Sequence, residues 1–430
     1  MKNFFSLLIV NFSFLIITCF AQQPGWQVIP SGTTSELKSI HYVNQYNLFI
    51  CGEVLINVKS TDNGSTWQTT TFTSPVTLND IFVIDDNTII TVGSGGTILR
   101  TTDAGINWDT VSSGVTDDLL SISFMGDFGI IGAFSQTILY SSNAGATWNI
   151  AQTGFFGGGF PGAVMLSPQI GFVAGTNSIF QPLLGVTTDM GATWDFHSFY
   201  LDINEGDATG VDFTDLSTGF VSAVDWMGRG AIAKTTDGGL NWVTTFFTQP
   251  LWSIDFPISG ASLIGYAAGE QGTILKTYDA GLNWQSQLTG TTQNLNKIYF
   301  SNLDEGYAVG ENGTILRTTN GGEPITNVDD DINSNFAFQL YQNYPNPFNP
   351  TTKIKFTIPN VETHRDASLQ MVTLKVYDVL GNEIGTRVNK ELPAGEYDFE
   401  FNASSLTSGI YFYTLTAGNY SSTKKMILMR

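Results

Sequence analysis

Between Trp26 and Thr318 the chain consists of short runs in which apolar and polar residues alternate, separated by glycine-bearing turns. LNDIFVID, NTIITVG, GTILRTT and NWDTVSS follow one another in one such stretch, and their two-residue period and β-branched content predict four successive strands. No helical period of comparable strength competes. The pattern recurs behind a repeated octet: STDNGSTW ends at Trp67, TTDAGINW at Trp108, SSNAGATW at Trp148, TTDMGATW at Trp194, TTDGGLNW at Trp242 and TYDAGLNW at Trp284. Successive tryptophans lie 41, 40, 46, 48 and 42 residues apart. Repeats of that length with strand-type composition predict the blades of a β-propeller.

A seventh octet begins as TTNGG at Thr318–Gly322 and breaks into EPITNV before its tryptophan. The missing piece lies at the other end, where Trp26 opens GWQVIPSGTTSELKSIHYV, which aligns with NWDTVSSGVTDDLLSISF around Trp108. The N-terminal strand is therefore expected to complete the blade formed by Leu295–Thr319, closing an all-β, seven-bladed ring that leaves no open edge between its first and last sheets. The fourth repeat is interrupted at GFFGGGFPGA and NSIFQPLLG, which predicts a longer loop there. Within the octet, the third position is Asp62, Asp103, Asn143, Asp189, Asp237, Asp279 or Asn320. Such a side chain accepts N–H groups of its own turn, the glycine permits a positive φ, and the tryptophan buries a large ring between sheets. A catalytic group is needed once and a folding device in every repeat, so these seven residues are expected to be structural.

After a polar, acidic linker over residues 323–337 the octet disappears. FQLYQNYPNPFNPTTKIKFTIP, VTLKVYDVLGNEI, LPAGEYDFEFNASSL and SGIYFYTLTAGNYSSTKKMILMR alternate between LGNE, PAGE and TSG turns, which predicts an Ig-like β-sandwich over residues 338–430. At the N-terminus, Lys2, an apolar run from Phe4 to Ile17 and a small residue at Ala21 predict a signal peptide over residues 1–21, the run being short for a membrane span. Cys19 opens the alternative of a lipid anchor, for which Thr18 is a poor preceding residue. The propeller then spans residues 22–322. Cleavage after Ala21 would leave Cys51 as the one cysteine, with no disulfide to form, and its place in NLFICGEV predicts a buried apolar thiol.

Of 430 residues, 42% are hydrophobic and only 13% charged, and 45 are glycine, which favours strands and tight turns. The net charge of -20 argues against nucleic acid and anionic membrane as partners and fits solubility outside the cell. His41, His197 and His364 fall in different repeats or domains, and no GxSxG, HExxH or phosphate loop is present. No metal or cofactor is expected.

The octet is that of the Asp-box, or BNR, repeat. With EGYAVGENGTILRTTNGG, IGYAAGEQGTILKTYDAG and TIITVGSGGTILRTTDAG, it resembles the propeller family named for photosystem II assembly and stability factors, over roughly Trp26 to Gly322. For Arg100, Lys234, Lys276 and Arg317 at equivalent third-strand places, and Lys59 close to that register, the resemblance implies a partner-binding patch; the alternative is a ring of solvated cations beside the box acids. YPNPFNP at Tyr344–Pro350, then YDVLGNEI, LPAGEY, SGIYFYTL and KKMILMR, resemble the type A sorting domain of the type IX secretion system, with VETHRDASLQ as an inserted loop. That resemblance implies type IX machinery as the partner of residues 338–430, transport across a Gram-negative outer membrane, and removal of the domain with release or surface attachment.

The expectation is a secreted or cell-surface, non-enzymatic propeller that binds a protein or glycan on the face formed by the loops between second and third strands and between blades. Candidate ligand-binding residues are Asp225, Trp226 and Arg229 in VDWMGRG, with Trp252, Glu270 and Glu311 on following blades. The alternative is a propeller-type glycoside hydrolase, because sialidases and xyloglucanases also carry Asp-boxes. A sialidase needs three converging arginines, and the propeller holds only Arg100, Arg229 and Arg317; xyloglucanases of this type use a cleft between two propellers. Carboxylates about 5–9 Å apart, drawn from Asp207, Asp212, Asp225, Glu270 and Glu311, would be required. A structural surface-layer role is compatible with the same sequence.

Overall fold

A computed structural model describes residues 23–429 apart from 43, 45–46, 54–55, 72–75, 154–157, 202–204, 258–262, 326–338, 359–369, 379–381, 393–394 and 418–419. The expected signal peptide with Cys19, most of the linker, the first half of GFFGGGFPGA and the loop bearing His364 lie outside the described residues. The chain divides into two compact units, Met1–Asn327 and Val328–Arg430.

Among the described residues, the first unit contains seven four-stranded antiparallel sheets. In blade 2 the strands are Leu78–Val83, Ile89–Gly93, Thr97–Thr101 and Asp109–Val111, from the axis outward. Blade 7 joins Leu295–Phe300, Gly306–Gly310 and Ile315–Ile325 to the N-terminal strand Gln23–Ile29, as expected. The register of that closure is informative. Gln27, the residue after Trp26, pairs with Arg317, just as Asp109, the residue after Trp108, pairs with Arg100. Trp26 thus occupies the tryptophan position of the seventh box although it is remote in sequence, and its indole lies against Gly322 of that box. The third strand runs on past Gly322 to pair Ile325 with Gln23. Residues 323–325, expected in the linker, are therefore in the blade: with no tryptophan of its own to turn back for, the chain continues alongside the N-terminal strand.

Each box is a closed hydrogen-bonded turn. The hydroxyl at position one accepts the N–H of the glycine at position five, at 2.9 Å in Ser60–Gly64 and 2.7 Å in Thr318–Gly322. In six boxes the carboxylate or amide at position three accepts the N–H of position seven, as in Asp103–Asn107 at 2.8 Å. Glycine at position five is required for two reasons. Gly105 has φ +83°, and a Cβ there would lie 3.0 Å from Phe49 on the preceding blade. The box is thus a spacer as well as a turn. Its tryptophan fills the same seam: Trp108 packs with Phe49 and Cys51 of blade 1, Trp148 with Ile90 and Val92 of blade 2, and Trp26 with Tyr266 and Ile274 of blade 6. Cys51 is fully buried, as its strand context predicts.

At the axis each inner strand presents an unpaired edge, whose backbone groups need partners because strand pairing cannot supply them. Side chains of the preceding blade do so. Val83 N–H donates to His41 Nδ1 (3.2 Å), Ile122 N–H to Asp80 Oδ2 (2.9 Å), Met165 N–H to Ser123 Oγ (2.9 Å), Phe256 N–H to Asp212 Oδ2 (2.7 Å) and Phe300 N–H to Asp255 Oδ2 (3.0 Å).

The second unit is an Ig-like sandwich. One sheet orders Gln339–Leu340, Thr351–Ile358 and Gly395–Asn402; the other orders Glu383–Leu392, Gln370–Tyr377, Gly409–Ala417 and Tyr420–Leu428. Ile354, Phe356, Val372, Leu374, Tyr413 and Leu415 fill the space between them. Within YPNPFNP, Phe348 is buried in that core and Asn346 Oδ1 accepts the Ile427 N–H at 2.8 Å, so the motif fastens to the C-terminal strand.

If Trp26 closes the ring, Trp26→Ala should destabilise the propeller by about 3–5 kcal/mol. Urea unfolding should show a lower midpoint with a steady slope, and a smaller loss for the half-buried Trp108→Ala.

Candidate functional site

The third-strand cations, for which the resemblance implies a binding patch, are engaged within the ring. Lys59 Nζ donates to the Ala104 carbonyl at 2.7 Å, Arg100 Nε to the Ala144 carbonyl at 2.9 Å, and Lys276 Nζ to the Gly321 carbonyl at 2.8 Å. Each acceptor is position four of the next blade's box. Lys59, Lys234, Lys276 and Arg317 also lie over second-strand rings of their own blades, 5.3 to 6.0 Å from the centroids of Phe49, Phe220, Tyr266 and Tyr307. Three of them are ties across seams. For Lys59, Arg100 and Lys276 neither a patch nor a ring of solvated cations is the right description, because the carbonyl of the next box lies within their reach; Lys234 and Arg317 rest on the rings of their own blades.

The axial channel brings together a group that the sequence leaves scattered. Asp212 and Asp255 face it from blades 5 and 6, beside Lys297 and Tyr299 of blade 7. Burial among protein atoms raises both carboxyls, Asp212 to about 7, and their mutual repulsion raises Asp255 further; backbone N–H donors and the Lys297 charge act the other way. His41 sits between Phe82 (4.1 Å) and Tyr299 (4.4 Å), and burial lowers its pKa to about 3, so it stays neutral and accepts from Val83. His197 pairs with Asp195 on an outer strand. Among the described residues no three His, Cys, Asp or Glu side chains converge as a metal set.

The loop face is more distinctive. In blades 2, 6 and 7 the second and third strands are joined by one-turn segments, SGG at Ser94–Gly96, EQG at Glu270–Gly272 and ENG at Glu311–Gly313, with the middle residue left-handed. These show that small and polar tips satisfy the fold. Blade 3 builds the same turn, left-handed at Ser135, but with an apolar first residue, and blades 4 and 5 replace it. Phe134 opens the blade 3 tip; Ile179 and Phe180 cap blade 4; Trp226 and Met227 cap blade 5, with Tyr200 between the last two. Phe180 is 64% exposed and Trp226 71%.

The tips of blades 4 and 5 are rigidly built. The carboxylate of Asp225, itself buried, accepts the N–H groups of Met227 (3.0 Å) and Arg229 (2.8 Å) and the Arg229 guanidinium (2.7 and 2.8 Å), which stacks 4.5 Å from the Phe246 ring. In blade 4, Asn177 Oδ1 accepts the N–H groups of Ile179 (3.0 Å) and Gln181 (2.9 Å), and Phe180 is held at φ +59°. A bulky residue in that region costs of order 1–3 kcal/mol, and exposing its ring returns nothing to folding. Backbone bonds join the tips: Trp226 N–H donates to Glu205 O (3.2 Å) and Gly206 N–H to Phe180 O (2.8 Å), while Gly158 N–H donates to Thr176 O (2.7 Å) beside the blade 3 tip.

Of the sequence candidates, Asp225, Trp226 and Arg229 share this turn, where Asp225 and Arg229 are consumed in building it. Trp252 is half-buried at the same end of the blade 6 inner strand, and Glu270 and Glu311 sit in the polar turns of blades 6 and 7, with Glu311 Oε1 accepting Asn294 Nδ2 at 3.0 Å. Asp207 is exposed on the blade 5 inner strand. Phe134, Ile179, Phe180, Tyr200 and Met227 were missed. The interruption at NSIFQPLLG marked two of them, but alternation alone cannot tell a turn tip from a strand.

A ring of Asp-box sheets closed by its own first strand, with a loop face of this kind, defines a BNR β-propeller; joined to an Ig-like sandwich, it is a two-unit exported type. The comparisons agree. The family model described as Photosynthesis system II assembly factor YCF48 matches residues 65–195 and 252–319, and that described as Secretion system C-terminal sorting domain matches residues 342–429. Similar solved structures include YCF48 bound to D1 peptide (18% identity, 69% of this chain and 97% of that one, TM-score 0.56) and YCF48 from Cyanidioschyzon merolae (16%, 68% and 98%, 0.55). The WD40 propeller domain of Doa1 superposes comparably (12%, 69% and 96%, 0.55). A search of curated proteins found no match. The chain is an Asp-box propeller resembling the photosystem II assembly-factor family, followed by a type IX sorting domain, which indicates export to the cell surface or beyond. Among the described residues no helix is long and apolar enough to cross a membrane.

The channel carboxyls make stability pH-dependent. Their folded pKa values lie above the ordinary range, so the folded state holds more protons and stability falls as pH rises from about 4 through about 7. The exposed box carboxylates, led by Asp103 at about 2, are lowered by hydrogen bonds, and their contribution is lost below pH of about 4. Melting temperature should therefore peak at mildly acidic pH. Asp255→Asn, which keeps an acceptor for Phe300, should flatten the decline above pH of about 4 and raise the melting temperature at its alkaline end.

Proposed function

We propose that this is an exported binding module whose propeller engages a protein or glycan through the loop face of blades 3 to 5. The observation that carries this reading is the contrast between tips: where blades 2, 6 and 7 build a one-turn segment from Ser, Gly, Glu, Gln and Asn, blade 3 places Phe134 in the same turn, and blades 4 and 5 replace it with braced turns that expose Phe180 and Trp226. Rigid, exposed aromatic anchors are the residue type on which binding energy concentrates. The sandwich would deliver the module through type IX machinery and leave it released or surface-attached. A similar propeller crystallised with a peptide supports a protein ligand at the level of fold.

The glycosidase alternative has one observation in its favour, the Asp212 and Asp255 pair with raised pKa values. Their oxygens, however, accept the N–H groups of Phe213, Phe256 and Phe300, and burial of these interblade struts accounts for the shifts.

Screening the full chain on glycan arrays and against cell-surface proteins tests both readings. The double variant Phe180→Ser, Trp226→Ser should melt within about 0.5 kcal/mol of the parent and lose about tenfold in affinity for any hit. Hits that ignore the double variant would move the site elsewhere, and glycoside turnover abolished by Asp255→Asn would replace the binding reading with the enzymatic one.

A further inference from the structure

The charge around the apolar tips narrows the partner class. Between Thr101 and Gly228 the chain has no lysine or arginine, yet it has thirteen aspartates and glutamates. Blades 3 and 4 and the first half of blade 5 are thus without a lysine or arginine. Arg229, the next cation, is bound to Asp225, and Lys234 lies over Phe220. Glu205 and Asp207, both exposed, flank the Trp226 turn: Glu205 supplies the carbonyl that holds Trp226 N–H, and Asp207 pairs with Val224 at the base of the same hairpin. Asp117 and Asp118 lie on the link into blade 3, beside its Phe134 tip, where Phe134 N–H donates to the Asp118 carbonyl at 2.8 Å. The apolar anchors therefore sit among carboxylates of which Asp225 is paired with Arg229, while Glu205, Asp207, Asp117 and Asp118 lie in a stretch with no lysine or arginine to offset them.

We propose, building on the loop-face reading above, that this surface docks an extended, basic polypeptide segment carrying an aliphatic or aromatic side chain. The apolar side chain packs against Phe180 and Trp226, and flanking lysines or arginines meet Glu205 and Asp207. A neutral glycan could stack on the same indole but would make no use of the surrounding charge. An anionic glycan would be repelled by it. In the third-strand register, where the family resemblance would put a cationic patch, the lysines and arginines are spent on seams, so recognition here is of opposite sign.

The test uses the full chain and fluorescein-labelled short peptides of alternating lysine and leucine, lysine and serine, and glutamate and leucine, read by anisotropy. The lysine–leucine peptide should bind at least about tenfold more tightly than either of the others, because it alone supplies both anchor and charge. Its affinity should fall as salt rises from about 50 to about 200 mM, and Glu205→Gln with Asp207→Asn should reduce both the affinity and the salt dependence. Phe180→Ser with Trp226→Ser, checked for an unchanged melting curve, should abolish the preference for leucine over serine. Equal binding of the glutamate–leucine peptide, or lysine–leucine binding indifferent to the double serine variant, would overturn the proposal. A neutral oligosaccharide that binds through Trp226 without salt dependence would also overturn it while leaving the loop face as the binding site; finding that no interaction of the chain depends on Trp226 would sink the loop-face reading itself.

Discussion

Gln27 opposite Arg317 holds the two ends of the repeat region in a single sheet, and the other seams are tight because that one is closed. A four-stranded blade has two apolar faces and an inner edge whose backbone donors point at the axis. Alone it can bury neither face and pair few of those donors. In the ring, each blade lends its neighbour a box glycine thin enough to approach and a tryptophan to fill the gap; blades 1, 2 and 6 add a cation that binds the outward carbonyl, and five seams an axial side chain that accepts the inner N–H. The constraint is circular: without a seventh tryptophan, supplied by Trp26, one seam would lack its filling and the inner edges beside it their fit.

That circularity explains why so many eye-catching residues do structural work. The box acids, the third-strand cations and the axial carboxyls are polar, recurrent and partly buried, all features often read as function. Here the box acids and axial carboxyls are matched to backbone groups of their own turn or of the next blade, and the cations to such carbonyls or to aromatic rings of their own blades. Asp212 and Asp255 are the extreme case, since struts placed in a narrow channel acquire raised pKa values as a by-product of burial. Departure from the repeat is the better guide. A tip that costs strain and exposes a ring, as at Phe180, stands out because neighbouring blades show what folding alone demands.

The two units divide the labour by different physics. The propeller is stabilised by many small, repeated seams, whereas the sandwich buries one compact core between two sheets and ties YPNPFNP to its final strand. A sorting tag that folds around its own core can be recognised regardless of what the propeller displays.

The ring, its number of blades and its closing strand were legible in the sequence, because the octet repeats at a fixed interval and a missing tryptophan at one end is matched by a spare one at the other. So was the sandwich, through its ordered turns. The site was only half legible. Trp226 could be picked out in VDWMGRG, but its sharing a loop face with Phe180 and Phe134 could not, since those residues are dozens of positions apart and come to one face only when three blades stand side by side. Likewise Asp255 looks like any strand residue until the ring brings it to Asp212, and Arg100 looks free until the next box turns Ala144's carbonyl toward it. Periodicity fixes what recurs along a chain; which side chains share a surface depends on how the repeats are rotated about a common axis, and that is a property of the closed ring.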